Sequence, residues 1–272
     1  MSEREIYVNA PLRLVAVEFR FPFSPAFLSP DVFSVVARKL GEQLPIVEPA
    51  APPITILTNP GAVPGPMSLP GGGAGIQLLT QNRATGVTVS PGRLAVETTN
   101  YRRWEDLRRL IENSLREIGD ELGAIPGLNR VGLRYVNEIR VPGDAPNLIE
   151  RWRRFIQADL LAGLRFGGGE FVAFQSVLHF RQAPTQEVVM RSGIADGHVV
   201  GDFGPLRLPT PAGSGPFFLL DIDSFWTRGN DVPEYNTADA LKLVDELHSP
   251  IDDLFESVIT DELRDEVLRR PT

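Results

Sequence analysis

Two polar side chains interrupt otherwise apolar patterns in this chain, and chemistry would be sought there first. Asn137 falls on the segment face whose other positions are Val131, Leu133, Tyr135, Ile139 and Val141. His248 falls on a helical stripe formed by Leu241, Val244, Ile251, Phe255 and Val258. An imidazole titrates near neutral pH, and two inward polar groups beside a phenol suit a small pocket, so Tyr135, Asn137 and His248 form the candidate ligand- or partner-binding site. His248 also precedes Ser249-Pro250, where proline leaves a backbone carbonyl without its helical donor. Satisfying such a group inside the core is the leading reading of the histidine, with a general base or ligand contact as its rival.

Other groups carry less. Asp221 and Asp223 share one face of a strand, where two carboxylates could hold a divalent ion or share a proton, but a solvated strand face explains them as well. Gly213-Ser214-Gly215 lacks the outer glycine of a nucleophile elbow, with Ala212 before it and no helix after it. Pro70-Gly71-Gly72-Gly73-Ala74-Gly75 is not followed by the Gly-Lys-Ser/Thr of a phosphate loop and reads as a plain loop. Arg151-Trp152-Arg153-Arg154 mixes basic and aromatic residues as a nucleic-acid contact would, yet helical spacing turns Trp152 inward and leaves the arginines on a solvated face. His179 and His198 have no second ligand at a useful spacing. No catalytic residue, metal ligand or cofactor is assigned, and the chain leans away from being an enzyme.

Composition narrows the classes further. The chain has 272 residues, 42% hydrophobic, enough for one large or two small domains with a real core. It has no cysteine, which excludes disulfides, cysteine-based zinc sites and thiol catalysis. A net charge of −8 disfavours a broad nucleic-acid footprint. The absence of an apolar run of roughly 20 residues argues against a membrane span, and a cytoplasmic location is the default expectation.

The elements that must position these groups follow from periodicity. Alternation predicts strands over 12–21, 76–81, 86–90, 93–101, 130–141, 170–181, 185–194 and from Phe217 onward. Stripes at steps of three and four predict helices from Pro30 to about Leu40, from Arg102 to Leu122, from Asn147 to Leu164, and through the segment that carries His248. The stretch from 48 to 75 reads as a long Pro/Gly-rich excursion, with Pro53–Leu57 as a short edge strand. The order strand, helix, three strands, helix thus occurs twice. Val17-Glu18-Phe19-Arg20-Phe21-Pro22 matches Asn137-Glu138-Ile139-Arg140-Val141-Pro142, and the helices superpose Ile111, Leu115, Ile118 and Leu122 on Val244, His248, Ile251 and Phe255. The expected fold is α+β: duplicated β-α-β-β-β-α units over 1–125 and 126–272 in one compact two-lobed unit. A largely antiparallel sheet would carry long helices on one face about a pseudo-two-fold axis. If the first strands of the two repeats pair antiparallel, charge complementarity predicts Glu18 opposite Arg140, Arg20 opposite Glu138 and Phe19 opposite Ile139.

The strand Gly132-Leu133-Arg134-Tyr135-Val136-Asn137-Glu138-Ile139-Arg140-Val141-Pro142 and the ending from Leu247 to Leu268 resemble a sporadically distributed family of bacterial conserved hypothetical proteins. The likeness implies that Tyr135, Asn137, His248, Phe255, Glu256 and Asp261 lie in recognisable segments, and it brings no activity to carry over. Patchy distribution suggests mobile or defence-associated genes. The functional expectation is a non-enzymatic binding or assembly protein that offers the groove between its halves to a protein partner. The alternative is a small-molecule binder or enzyme with a pocket near His248.

Overall fold

The computed structural model describes residues 5–25, 30–50, 75–122, 125, 127–142, 148–166, 174–199, 205–209, 213–232 and 234–270. Its centre is a nine-stranded sheet in which every pairing is antiparallel. The strands are β1 (Leu12–Arg20), β2 (Ile46–Pro49), β3 (Ile76–Leu79), β4 (Thr85–Ser90), β5 (Arg93–Thr98), β6 (Arg130–Ile139), β7 (Phe174–Ala183), β8 (Gln186–Asp196) and β9 (Pro216–Thr227). They lie in the order β2-β3-β4-β5-β1-β6-β9-β8-β7. The chain is therefore of the α+β class, and β1 and β6 join the strands before residue 125 to those after it.

Alternation explains which face is buried. Val15, Val17 and Phe19 of β1, Leu133 and Ile139 of β6, and Phe218, Leu220 and Ile222 of β9 form one apolar surface. Against it pack α2 (Trp104–Leu122), through Ile111, Leu115 and Ile118, and α4 (Thr237–Val258), through Leu241, Val244, Leu247 and Ile251. Each such side chain contributes about 2 kcal/mol on burial, so this layer dominates the stability of the fold. α1 (Pro30–Leu40) and α3 (Leu148–Phe155) extend it with Val36 and the fully buried Trp152. On the opposite face a smaller apolar cluster joins Leu14, Leu79, Val136, Phe217 and Leu219 to Val199 and Leu206. Among the described residues no helix is long and apolar enough to cross a membrane.

Three expectations are corrected. The helix expected from Asn147 to Leu164 stops at Phe155, and a 3-10 helix follows over Ala158–Phe166. The break has a cause: Ile156 bridges to Ile259, Gln157 N–H donates to the Val258 carbonyl and Thr260 N–H donates to the Phe155 carbonyl, so tertiary hydrogen bonds replace helical ones. β2, an unexpected strand, forms at Ile46–Pro49 and runs into the first residues of the Pro/Gly-rich stretch, while the expected strand at Pro53–Leu57 lies outside the described residues. β1 and β6 are adjacent and antiparallel, but Phe19 lies opposite Val131 and Glu18 opposite Gly132. The displacement is an even number of residues, which leaves every side chain on its own face, so alternation could not choose between the two registers.

Candidate functional site

Four rings converge beneath the helix layer. Tyr135 comes from β6, Tyr101 follows β5, Trp104 opens α2 and His248 sits midway along α4. Asn236 starts α4 by accepting from Ala238 N–H at 2.8 Å, and the stripe of Leu241, Val244, Leu247 and Ile251 packs the helix on the core. His248 stacks on Trp104 with centroids 4.2 Å apart and planes 11° apart, and Tyr135 lies 5.7 Å away on a tilt. Tyr135 donates to the Tyr101 hydroxyl at 3.2 Å, and the two rings meet edge to face at 5.5 Å. Asp245 of α4 accepts from Trp104 Nε1 at 3.1 Å and from Arg108 Nε at 3.0 Å, tying the two helices together over the cluster.

Electrostatics agree with a packed, largely buried cluster. Burial first, with smaller contributions from Asp252 and Glu105, pushes the Tyr101 hydroxyl up to about 12, against a lowering by the hydrogen bond with Tyr135. Burial likewise holds Tyr135 well above the ordinary phenol range. The His248 Nε2 lies 3.6 Å from an Asp252 carboxylate oxygen one helical turn on. The arrangement is suited to holding neutral phenols and a stacked imidazole in place. It offers no activated nucleophile, since its hydroxyls are pushed away from ionisation.

Of the residues singled out in the sequence, Tyr135 and His248 come together. Asn137 faces the same layer but donates to the Leu220 carbonyl of β9 at 3.2 Å, so its amide serves the neighbouring strand. Asp221 and Asp223 are not on a solvated face. Asp221 is fully buried and takes two hydrogen bonds of 2.7 Å from Arg134, with Arg191 at 3.5 Å. Asp223 pairs with Arg130 at 3.4 Å, and burial raises its pKa against the pull of Arg130 and Arg134. Among the described residues no group of three or more His, Asp or Glu could hold a metal ion. The Gly213-Ser214-Gly215 turn is a clamp: its three carbonyls accept from the Arg140 guanidinium at 2.9 Å, and a Cβ at Gly213 would lie 2.5 Å from Arg140 Nε. Trp152 points inward, while Arg154 pairs with Glu266. His179 lies 2.6 Å from Glu187.

Two features were missed. One is a ladder of arginines and carboxylates across the face of the sheet turned away from the helices. Its signal was present as Arg130, Gly132 and Arg134 at alternate positions of one strand and Glu18 and Arg20 at alternate positions of another. The other is the free side of β7. It is ten residues long and carries exposed Val177, Leu178 and Phe180, at 56%, 38% and 38% of full exposure. Among the described residues no strand lies beyond it. The other end of the sheet closes differently: β2 has four residues, ends in Pro49, and anchors Glu48 to Arg83 at 3.1 Å.

Comparison of the chain with known protein families, curated proteins and solved structures found no match.

Proposed function

We propose that this chain is a non-enzymatic assembly protein that takes an extended, apolar and acidic segment of a protein partner as an added strand along β7. The observation that carries this reading is the contrast between the two ends of the sheet. A long, exposed edge with apolar side chains is what soluble folds ordinarily avoid, and strand addition is the recognition mode that uses one.

The strand order supports a second, structural part of the proposal, that the halves are copies about a pseudo-two-fold axis. Outward from the β1–β6 seam, β5, β4 and β3 on one side correspond to β9, β8 and β7 on the other. In that correspondence β3 is the counterpart of β7, and β3 carries one further strand, β2. The place that β2 fills beside β3 is the place a partner segment would fill beside β7. The chemistry of the segment follows by analogy with Ile46-Val47-Glu48 of β2 and from charge. β7 has Arg181, with a side chain 71% exposed that pairs with Glu187 of β8 at 3.0 Å, and no acidic residue of its own. A second copy of β7 would bring no carboxylate of its own to this edge, so a distinct partner carrying one is favoured.

The alternative pocket at His248 is disfavoured by the occupied faces of its ring, with Trp104 stacked on it and Tyr135 beside it. The test uses the proteins encoded by neighbouring genes. A stoichiometric partner should slow backbone amide exchange in β7, and Val177→Asp with Phe180→Asp should weaken binding by at least about tenfold while the melting curve is kept. Binding with β7 exchange unchanged would sink the proposal. So would a complex indifferent to both substitutions, self-association through β7, or a metabolite bound among Tyr101, Tyr135 and His248.

A further inference from the structure

The face of the sheet turned away from the helices carries an unusual row. Arg20 of β1 lies directly opposite Arg93 of β5 and directly opposite Arg130 of β6. Like charges in directly opposed positions destabilise a sheet, so a row of three guanidinium groups needs compensation. It receives that mainly from Glu18, with Asp223 adding a contact of 3.4 Å to Arg130. Glu18 takes Arg20 Nε at 2.7 Å on one oxygen and Arg93 Nε at 2.7 Å on the other, with Arg130 Nη1 at 3.4 Å.

The manner of pairing matters. Arg20 and Arg93 each give Glu18 only the Nε hydrogen, so among the described residues their terminal nitrogens are held in orientation without an acceptor. A guanidinium fixed in this way presents a preset pair of donors to an oxyanion. Glycine makes the third member possible: a Cβ on Gly132 would lie 2.4 Å from Arg130 Nη1, in the space through which that guanidinium reaches Glu18. Arg130 is also held over the Phe225 ring, 4.8 Å from its centroid.

Charge decides the class of ligand. The ion pairs of this face fall into two sets: Arg20, Arg93 and Arg130 with Glu18 and Asp223 at the end near the cleft, and Arg134 and Arg191 with Asp221 farther along. In the set near the cleft three guanidinium groups face two carboxylates, an excess of one positive charge (three less two) on a chain whose net charge is −8, and burial raises the pKa of Glu97 beside Arg93. An open cleft of about 440 Å³ lies at the exposed end of the row, lined by Arg20, Arg130, Asn129, Phe21, Phe23 and the Pro91-Gly92 turn. The Phe23 ring is 68% exposed there. An oxyanion with several acceptor oxygens complements this excess and the terminal nitrogens of Arg20, and a flat apolar group complements the phenylalanine.

We infer that this cleft is a binding site for a small phosphate monoester carried on an aromatic group, with the phosphoryl oxygens on Arg20 and Arg130 and the ring against Phe23. The site is distinct from β7 and stands independently of the strand-addition proposal.

Isothermal titration of the full chain with phenyl phosphate, inorganic phosphate and benzoate tests it. Phenyl phosphate should bind saturably and tightest of the three. Its affinity should fall by at least about tenfold in Arg20→Gln and in Gly132→Ala, each with an unchanged melting transition, and stay unchanged in Arg116→Gln on the outer side of α2. Gly132→Ala tests the geometry, because it keeps all three arginines and displaces one. If that variant does not fold, Arg20→Gln decides alone, since this side chain is half-exposed and its loss leaves the strand intact. Three results would overturn the inference: no saturable binding at millimolar phenyl phosphate, equal loss in Arg116→Gln, or benzoate binding as tightly as phenyl phosphate.

Discussion

The two phenols that share a hydrogen bond under the helices are groups whose ionisation the fold resists. Tyr101 is pushed up to about 12 from an ordinary value of 10.0, and burial is the main cause. A raised folded-state pKa means that the neutral form is favoured by folding. Its stabilising share is complete below about pH 10 and is lost as pH rises from there toward about 12. The expected outcome is an alkaline unfolding transition in which tyrosinate absorbance and loss of helical circular dichroism rise together. Replacing Tyr101 by Phe should move the midpoint to higher pH, and a midpoint that stays in place would uncouple the cluster from alkaline stability. The same packing explains why His248, conspicuous in the sequence as the polar member of an apolar stripe, sits in the core without breaking it: its ring has an aromatic partner on a face and carboxylates nearby.

At the scale of elements, local signals and long-range ones differ in what they control. α4 begins where Asn236 accepts from the amides of Ala238 and Asp239, and this cap is worth about 1 kcal/mol. Asn236→Ala should lower the melting temperature accordingly, whereas Asn236→Ser should restore most of the loss; equal melting of all three chains would show that α4 is held by packing alone. α3 shows the opposite case. Its apolar spacing continues past Phe155, yet the chain leaves the helix because the Val258 carbonyl at the end of α4 accepts from Gln157 N–H and Thr260 N–H donates to the Phe155 carbonyl. The register of β1 on β6 is likewise a long-range outcome. No hairpin joins these strands, so turn geometry does not set their alignment, and Glu18 finds its arginines on β5 and β6 near its own end of the sheet.

Across the whole molecule, stability should be graded from the seam outward. β1 and β6 each have strands on both sides, a helix layer on one face and part of the smaller apolar cluster on the other. β7 has one neighbour and an exposed apolar surface. Native-state amide exchange should therefore be slowest in Val15, Val17, Leu133 and Tyr135 and fastest, by several orders of magnitude, along β7. Comparable protection of β7 in the isolated chain would mean that something already covers it, and would remove the edge on which the proposed assembly function rests.

Period-two and period-3.6 patterns alone determined most of the elements, the inward face of each, and the α+β class, because these depend on neighbours within a few residues in the chain. The meeting of Tyr135 with His248 was legible for the same reason, since both lie on faces that had to point into one core. Other features were settled by tertiary structure. The two sets of ion pairs draw Glu18, Arg93, Arg130, Arg134, Arg191 and Asp221 from five strands, and whether a carboxylate is solvated or buried depends on which strands flank it. Alternation has a period of two and is blind to any even slip, so it names the face of a strand but not its partner residues. That choice was made by the packing of the whole sheet.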